Sequence, residues 1–224
     1  MSSMKIAELS QRTGAPVATV KYYLREGLLP AGAPTAVNQA DYDDAHVRRV
    51  KLVRALVEVG RMTIAEVRQV LDAVGDDSLS LHDAFGTAQD AMVPGRSRNG
   101  ELYDLAFAEV DRFVRRHHLA VRHDAAVRAM LADALVVLTE FGWGPPQGVT
   151  DSAIFDKMVP RIMSDAKAEI AFIPAAASRS DQVEFSVVGT VAFEVAGDAI
   201  RRMALEHASH QRFGRVVASK KRKR

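Results

Sequence analysis

The sequence contains no cysteine. This absence excludes disulfide bonds, thiolate metal sites and iron–sulfur clusters held by thiolates. The chain of 224 residues also lacks an uncharged apolar run of roughly 18 residues or more. Its first residues do not follow the charged-then-apolar order of a secretory signal. We therefore expect a cytoplasmic protein that has no membrane span.

Catalytic motifs are missing as well. The sequence has no glycine-rich phosphate loop, no GxSxG elbow, no HExxH helix and no matched set of carboxylate and histidine. We expect that the chain is not an enzyme and that it binds no cofactor. An enzyme whose catalytic groups lie far apart in the sequence is the alternative.

The charge is unevenly divided along the chain, although the net charge is only +2. Residues 1–75 carry 10 basic and 8 acidic side chains, residues 76–211 carry 13 and 20, and residues 212–224 carry 7 and none. The acidic middle disfavours nucleic-acid binding, whereas the basic end favours salt-sensitive binding to phosphates. A solvated tail that only aids solubility is the alternative for the basic end.

Residues 5–29 have the pattern of two short helices joined by a sharp turn. Ile6 and Leu9 fall on one face of the first helix, and Gly14 supplies the backbone freedom that the turn needs. The second helix directs three apolar residues toward a core at spacings of three and four, namely Val17, Val20 and Leu24. The pattern predicts a helix-turn-helix, followed by an apolar strand around Leu28.

The outward face of the predicted second helix is polar, basic and aromatic. It carries Ala18, Thr19, Lys21, Tyr22 and Arg25. Such a helix fits the major groove of DNA, where Lys21 can contact guanine edges or phosphate and the methyl group of Ala18 can contact thymine. Thr19 and Tyr22 can contact phosphate. A surface helix of an unrelated small domain is the alternative.

Residues 41–71 predict two further helices. An amphipathic stripe of valines and leucines marks the first, and Thr63 with Glu66 forms a capping box that starts the second. A basic cluster lies beside the stripe, at Arg48, Arg49, Lys51 and Arg54. We expect Arg48 and Arg49 to contact phosphate. The alternative for these arginines is a set of local ion pairs with two carboxylates, Asp43 and Asp44.

In this order, the features of the first third of the chain resemble the MerR family of bacterial transcription regulators. The matching residues are Thr19, Val20, Lys21, Tyr22, Tyr23, Gly27, Leu28, Leu29, Tyr42, Gly60, Glu66 and Leu71. The resemblance implies a winged helix-turn-helix that binds double-stranded promoter DNA as a homodimer. It also implies that the dimer distorts a promoter with an overlong spacer so that RNA polymerase can engage it. The alternatives are an architectural DNA-binding protein without an effector and an enzyme with an accessory DNA-binding head.

The sequence departs from the family pattern at several positions. Pro16 stands where the family usually has a serine cap, and Lys21 replaces an arginine, which keeps the charge but loses the bidentate fork. Leu24 replaces a glutamate. Gln39 and Ala40 replace a tyrosine–arginine pair of the wing, so the contact of a wing arginine with DNA is not expected.

Residues 76–211 show helical periodicity and little strand signal. Helices are predicted over residues 101–118, 124–141, 153–172 with a break at Pro160, and 183–207. We therefore expect a mainly α-helical protein in three parts: a DNA-binding domain at 1–75, a regulatory and dimerisation domain at 76–211, and a basic, flexible tail at 212–224. Residues 101–118 or 183–207 are the candidates for the dimer helix, and each can equally be a core helix.

An effector pocket is expected beside Phe141 and Trp143, since their rings can stack on a flat apolar small molecule. The alternative is that Trp143 only anchors its loop on the helices. The histidines are not expected to bind metal, because no further ligand pattern lies next to either of their two groups. These groups are His117, His118 and His123, and then His207 and His210.

Overall fold

The computed structural model describes residues 3–36, 39–93, 99–145 and 148–220. It is mainly α-helical, and two short strands form the one sheet within these ranges, which confirms the predicted fold class. Backbone contacts divide the chain into two compact units. One comprises residues 1–64 with the chain from Val188 onward, and the other comprises residues 65–187. The functional boundaries at residues 75 and 211 stay a prediction, because compactness alone does not assign function.

The N-terminal elements follow in the order helix, helix, hairpin, helix. Helix α1 spans Ile6–Thr13, α2 Val17–Arg25, strand β1 Ala33–Ala36, β2 Gln39–Asp41 and α3 Asp44–Arg54, and a π-helical turn covers Ala55–Val59. The strands are antiparallel, with Ala33 opposite Asp41 and Pro34 opposite Ala40. The predicted helix-turn-helix with a small wing is therefore present.

The prediction of an apolar strand around Leu28 is wrong. Gly27 has a φ of 71°, and the N–H of Leu28 donates to the carbonyl oxygen of Tyr23 at 2.9 Å. This turn closes the end of α2 and directs Leu28 and Leu29 into the core, where both are buried. The two leucines are apolar because of burial in a turn and not because of strand pairing.

Side chains of α1, α2 and α3 form the core of the N-terminal elements. Leu9, Val20 and Val50 have no exposed surface. Asp43 is the N-cap of α3, and its carboxylate accepts a hydrogen bond from the backbone N–H of His46 at 3.1 Å. Contacts with the side chain and the backbone of His46 lower the pKa of Asp43. This cap fixes the start of α3 directly after the wing.

The second unit begins with four consecutive helices and a short turn. Helix α4 spans Ile64–Gly75, α5 Leu81–Met92, α6 Glu101–Arg116 and α7 Ala126–Glu140, and a 3-10 turn covers Ser152–Phe155. The helices predicted over residues 101–118 and 124–141 are confirmed by α6 and α7. The periodicity does not predict α5, although Ser80 marks its start by accepting a hydrogen bond from the N–H of Asp83 at 3.1 Å.

A buried carboxylate connects α6 to the 3-10 turn. Glu109 is 5% exposed and accepts a hydrogen bond from the backbone N–H of Ser152 at 3.1 Å, another from the Ser152 hydroxyl, and one from Arg112 Nε at 2.7 Å. Burial alone would raise the pKa of Glu109, but the hydrogen bonds from Ser152 and Arg112 outweigh burial and lower it. The turn is therefore held on α6 by the ionised carboxylate.

Two helices complete the chain. Helix α8 spans Val159–Ala171, and α9 spans Arg179–Lys220. Pro160 lies in the first turn of α8 and so begins a helix at the predicted break. Helix α9 extends the segment predicted at 183–207 in both directions and includes residues 212–220 of the predicted flexible tail; residues 221–224 lie outside the described residues. In the described part of the chain, no helix combines the length and the apolarity that crossing a membrane requires.

Candidate nucleic-acid interface

Hydrogen bonds to local carbonyl groups shape the turn between α1 and α2. Gly14 has a φ of 66°, which a glycine adopts at little cost. The hydroxyl of Thr13 donates to the carbonyl oxygen of Leu9 at 2.7 Å, and the hydroxyl of Ser10 donates to that of Ala15 at 2.6 Å. Pro16 is the N-cap of α2 and provides no side-chain cap, as the sequence predicts. The turn is thus stabilised from the side of α1.

Arg54 connects this turn to the end of α3. Its Nη1 donates to the carbonyl oxygen of Thr13 at 2.6 Å, while Nε and Nη2 donate to the carboxylate of Glu58 at 2.7 and 2.8 Å. The hydrogen bond between them raises the pKa of Arg54 and lowers that of Glu58. A Cβ atom on Gly14 would lie 3.3 Å from Nη1. Arg54, one of the predicted basic cluster, therefore has a structural role in holding the turn.

Helix α2 places the predicted reading residues on its solvent side. Ala18, Lys21 and Arg25 are exposed, and Thr19 and Tyr22 are partly exposed. The guanidinium of Arg25 lies 5.4 Å from the ring centroid of Tyr22. The structure brings these five side chains to one surface.

The inward face of α2 differs in part from the prediction. Val20 is buried as expected, whereas Val17 and Leu24 are only partly buried. Tyr23, which the spacing analysis does not assign to the core, is 3% exposed, and burial raises its pKa. Its position three residues after Val20 is the signal that identifies it.

A groove of about 610 Å³ separates α2 from the wing. Its lining residues are Lys5, Ile6, Lys21, Leu24, Pro34, Gln39, Ala40 and Tyr42. The Nζ atom of Lys5 lies 2.5 Å from the carboxylate of Asp41, and hydrogen bonds from Lys5 and Ser3 lower the pKa of Asp41. Among the described residues, Lys21 has no such carboxylate partner. The groove therefore presents one lysine whose charge is not neutralised nearby.

The two arginines predicted to contact phosphate lie on α3. Arg48 is exposed and Arg49 is partly buried. The Nη1 atom of Arg49 is buried and has no acceptor among the described residues. The neighbouring carboxylates have other contacts, since Asp43 caps α3 and Asp44 lies 2.8 Å from Arg12. Contact of these arginines with phosphate stays a prediction.

The effector pocket at the end of α7 stays a prediction. Phe141 is 80% exposed and Trp143 is 70% exposed. A cavity of about 440 Å³ lies nearby, between the start of α6 and the end of α7, but these two rings do not line it. Pro146, which follows in the same loop, lies outside the described residues.

The histidines contact ordinary protein groups. His117 Nε2 lies 2.7 Å from Asp156, His123 lies 3.6 Å from Asp111, and His207 lies 2.9 Å from Gln211. In the ranges that the structure describes, no cluster of three or more histidine or acidic side chains is arranged to hold a metal ion.

Three comparisons relate the chain to known proteins. The profile of the MerR helix-turn-helix family of regulatory proteins matches residues 4–74. Over 68 residues, the chain is 37% identical to the nodulation protein NolA of Bradyrhizobium elkanii and of Bradyrhizobium sp. strain NC92. Those matches cover 30% of this chain, 31% of the first relative and 28% of the second. The chain thus matches less than a third of each relative's length.

A solved structure is similar along nearly the whole chain. It is that of SCO5550 from Streptomyces coelicolor A3(2), a protein assigned as a transcriptional regulator. The two sequences are 34% identical, the TM-score is 0.72, and the match covers 94% of this chain and 98% of that chain. The helical region after residue 75 is therefore similar to a solved fold as well.

Proposed function

This chain belongs to the MerR family of helix-turn-helix regulatory proteins and is a DNA-binding transcription regulator, and from that premise we propose that it acts as a homodimer that distorts promoter DNA. A homodimer presents two copies of α2 to two half-sites of an operator. The distortion shortens the effective path of an overlong promoter spacer, so that RNA polymerase can engage both of its elements.

A second apolar face on α9 carries the dimer proposal. Val183, Val187 and Val191 are buried. On the other side of the same helix, apolar residues recur at spacings of three and four, at Phe185, Val188, Ala192, Val195 and Ala199. We call these five residues the α9 seam. The spacing is that of a coiled-coil interface, in which each such residue packs between residues of a second helix.

The exposure of α9 supports a partner on this seam. Every residue from Ala192 to Phe213 is exposed except Ala199, which is partly exposed. Phe185 is 54% exposed and Val195 is 46% exposed. Helix α6, the other candidate for dimerisation, buries Ala106, Val110, Phe113 and Val114. Apart from Leu105 and Ala108, its exposed residues are charged, namely Glu101, Asp104, Arg112, Arg115 and Arg116. Of the two candidates, α9 therefore fits a dimer helix better.

The reading residues of the proposal lie on α2 and α3. Lys21 and Arg25 are exposed cations on one helix face, and Ala18, Thr19 and Tyr22 lie beside them. We assign contact with guanine edges or phosphate to Lys21, contact with a thymine methyl group to Ala18, and contact with phosphate to Thr19, Tyr22 and Arg25. Arg48 and Arg49 would add phosphate contacts from α3. The basic end, Lys220 to Arg224, would add sequence-independent affinity.

Regulation by a small molecule completes the proposal. The exposed rings of Phe141 and Trp143 lie at the end of α7, where an apolar effector could stack on them. These rings belong to the unit formed by residues 65–187, which does not include the reading helix, so an effector there would not contact that helix directly.

Binding to the chain's own upstream promoter fragment tests the function. We expect tight binding of two chains per fragment, much weaker binding to an unrelated duplex, and a steep loss of affinity as salt is raised. Lys21→Ala should weaken promoter binding, whereas Lys157→Ala, a matched change of an exposed lysine outside the interface, should not. Binding by one chain per fragment would contradict the homodimer, and equal affinity for both duplexes would contradict sequence-specific regulation.

A further inference from the structure

The wing has no cationic side chain of its own. Strands β1 and β2 lie within residues 33–41, and this stretch contains no lysine, arginine or histidine and a single carboxylate, that of Asp41. Ala40 stands where the family pattern has an arginine. A surface that carries only a negative charge repels DNA phosphates. The wing can therefore bind DNA only if another part of the chain supplies a cation.

Lys5, the residue before α1, brings a cation to the wing. Its Nζ atom lies 2.5 Å from the carboxylate of Asp41 in β2, and it donates a hydrogen bond to the hydroxyl of Thr35 in β1 at 2.9 Å. The side chain of Lys5 is nevertheless 53% exposed. The ammonium group is thus held against both strands and remains open to solvent.

The backbone on both sides of this contact is fixed. The N–H of Met4 donates to the carbonyl oxygen of Tyr42, and the N–H of Tyr42 donates to that of Met4, both at 2.8 Å. A Cβ atom on Gly32 would lie 2.7 Å from the carbonyl oxygen of Asp41, so a glycine is needed for the chain to pass this close. Because Lys5 and Asp41 are direct neighbours of the paired residues, the ammonium group is positioned before a ligand binds, which lowers the entropic cost of binding.

The ammonium group of Lys5 can bind one more acceptor. It has three N–H donors, and Asp41 and Thr35 account for two of them. The third is left for an acceptor that approaches from solvent. A phosphate oxygen is such an acceptor, and its negative charge strengthens the hydrogen bond.

The groove between α2 and the wing indicates which phosphate this is. Lys5 and Lys21 both line the groove, and none of the described residues that line it is acidic. Apolar side chains, among them Ile6, Leu24 and Pro34, make up most of the remaining lining. A DNA strand offers charged phosphates and less polar sugars in turn, and proteins contact both. A single lysine acts as a point charge, which suits phosphate better than two-point recognition of a base.

We propose that Lys5 binds a phosphate of the operator from the wing side of this groove, in place of a wing arginine, and that Asp41 and Thr35 position its ammonium group. The inference rests on the proposed function and deepens it. It adds to the reading residues of α2 a contact that fixes the position of the DNA strand but carries no sequence information.

The salt dependence of DNA binding tests the inference. Asp41→Ala serves as the reference, because Lys5→Ala alone would leave an unpaired carboxylate that repels DNA. Adding Lys5→Ala to this reference should reduce the slope of log affinity against log salt concentration by about 0.9 and weaken binding about fivefold at physiological salt. Adding Lys5→Arg keeps the charge and should keep the slope. Lys157→Ala, the matched change of an exposed lysine outside the interface, should alter neither quantity.

A neutral phosphate locates the contact. Methylphosphonate replaces one phosphate of the promoter fragment at a time, which removes its charge. We expect a position at which this replacement weakens binding by the Asp41→Ala reference about fivefold but has no effect once Lys5→Ala is added, because the two changes remove the same contact. A variant that had lost its fold would not give this pattern, since it would bind weakly at every position.

The outcomes separate this inference from the proposed function. If the salt slope were the same with and without Lys5, the lysine would only hold the wing in place, and the inference would be overturned while the regulator remained. A reduced slope without a sensitive methylphosphonate position would also overturn it, because Lys5 would then act only through its charge at a distance. A wild-type protein that binds neither the promoter fragment nor an unrelated duplex would contradict the proposed function, and the inference with it.

Discussion

The helix-turn-helix and the last two helices differ in where their apolar side chains lie. Leu9 and Val20 of the helix-turn-helix are fully buried, and the surface that α2 leaves exposed is polar and cationic. In α8 no residue is buried, and the α9 seam is exposed. A cationic surface attracts phosphate, whereas an apolar surface excludes water only when another apolar surface covers it. The two regions therefore suit different kinds of partner, and in the proposed function these are DNA for the first and a second copy of the chain for the α9 seam.

Truncation of apolar side chains gives the largest expected contrast between the two regions. Leu9→Ala should lower the free energy of unfolding by about 2–5 kcal/mol, because it creates a cavity in a closed core. Ile162→Ala, made together with Ala192→Glu, a change in the α9 seam that is expected to dissociate the proposed dimer, should change it by no more than about 0.5 kcal/mol, because the side chain is already exposed. Chemical denaturation measures both. A large loss from Ile162→Ala in the monomer would show that α8 packs against its own chain.

A single charge in the α9 seam should have the next largest effect. Ala192→Glu places a carboxylate between two helices of the proposed dimer, and we expect the dimer to dissociate on the order of 100-fold more readily, or about 2.8 kcal/mol. Ala208→Glu is the matched control, because it makes the same change on the opposite side of the same exposed helix. Sedimentation at several concentrations measures both. Equal dimer stability in the two variants would place the interface elsewhere.

The sequence predicts the first of these regions better than the second. The helix-turn-helix follows from short-range signals, namely Gly14 at the turn, Val20 toward the core and Lys21 outward. The role of Arg54 does not, because its hydrogen bond to Thr13 joins residues 41 positions apart. Periodicity predicts α8 and α9, but it does not distinguish an apolar face that is buried in the same chain from one that requires a second molecule.

Two substitutions should distinguish a residue that contacts DNA from a residue that only holds the turn between α1 and α2. Lys21→Ala should reduce the slope of log affinity against log salt concentration by about 1, because one cation that neutralises a DNA phosphate is lost. Arg54→Ala should lower promoter affinity and leave that slope unchanged, because Arg54 bonds to Thr13 and Glu58 and not to DNA. It should also destabilise the fold by about 1–3 kcal/mol, since the carbonyl of Thr13 loses its partner. A reduced slope for Arg54→Ala would show that Arg54 contacts phosphate.

The smallest expected effect concerns Glu109, which anchors the turn before α8. Because its pKa is lowered in the folded protein, the carboxylate stabilises the fold above its ordinary pKa, and this contribution is lost as pH falls through the lowered value. Glu109→Gln should therefore cost about 1–2 kcal/mol at neutral pH, and progressively less below about pH 4.5. Glu140→Gln, an exposed control, should change little at either pH. If Glu109→Gln lowered the free energy of unfolding equally at neutral and at acidic pH, the charge of Glu109 would not be what holds the turn. The anchoring of the segment before α8 would then not depend on pH.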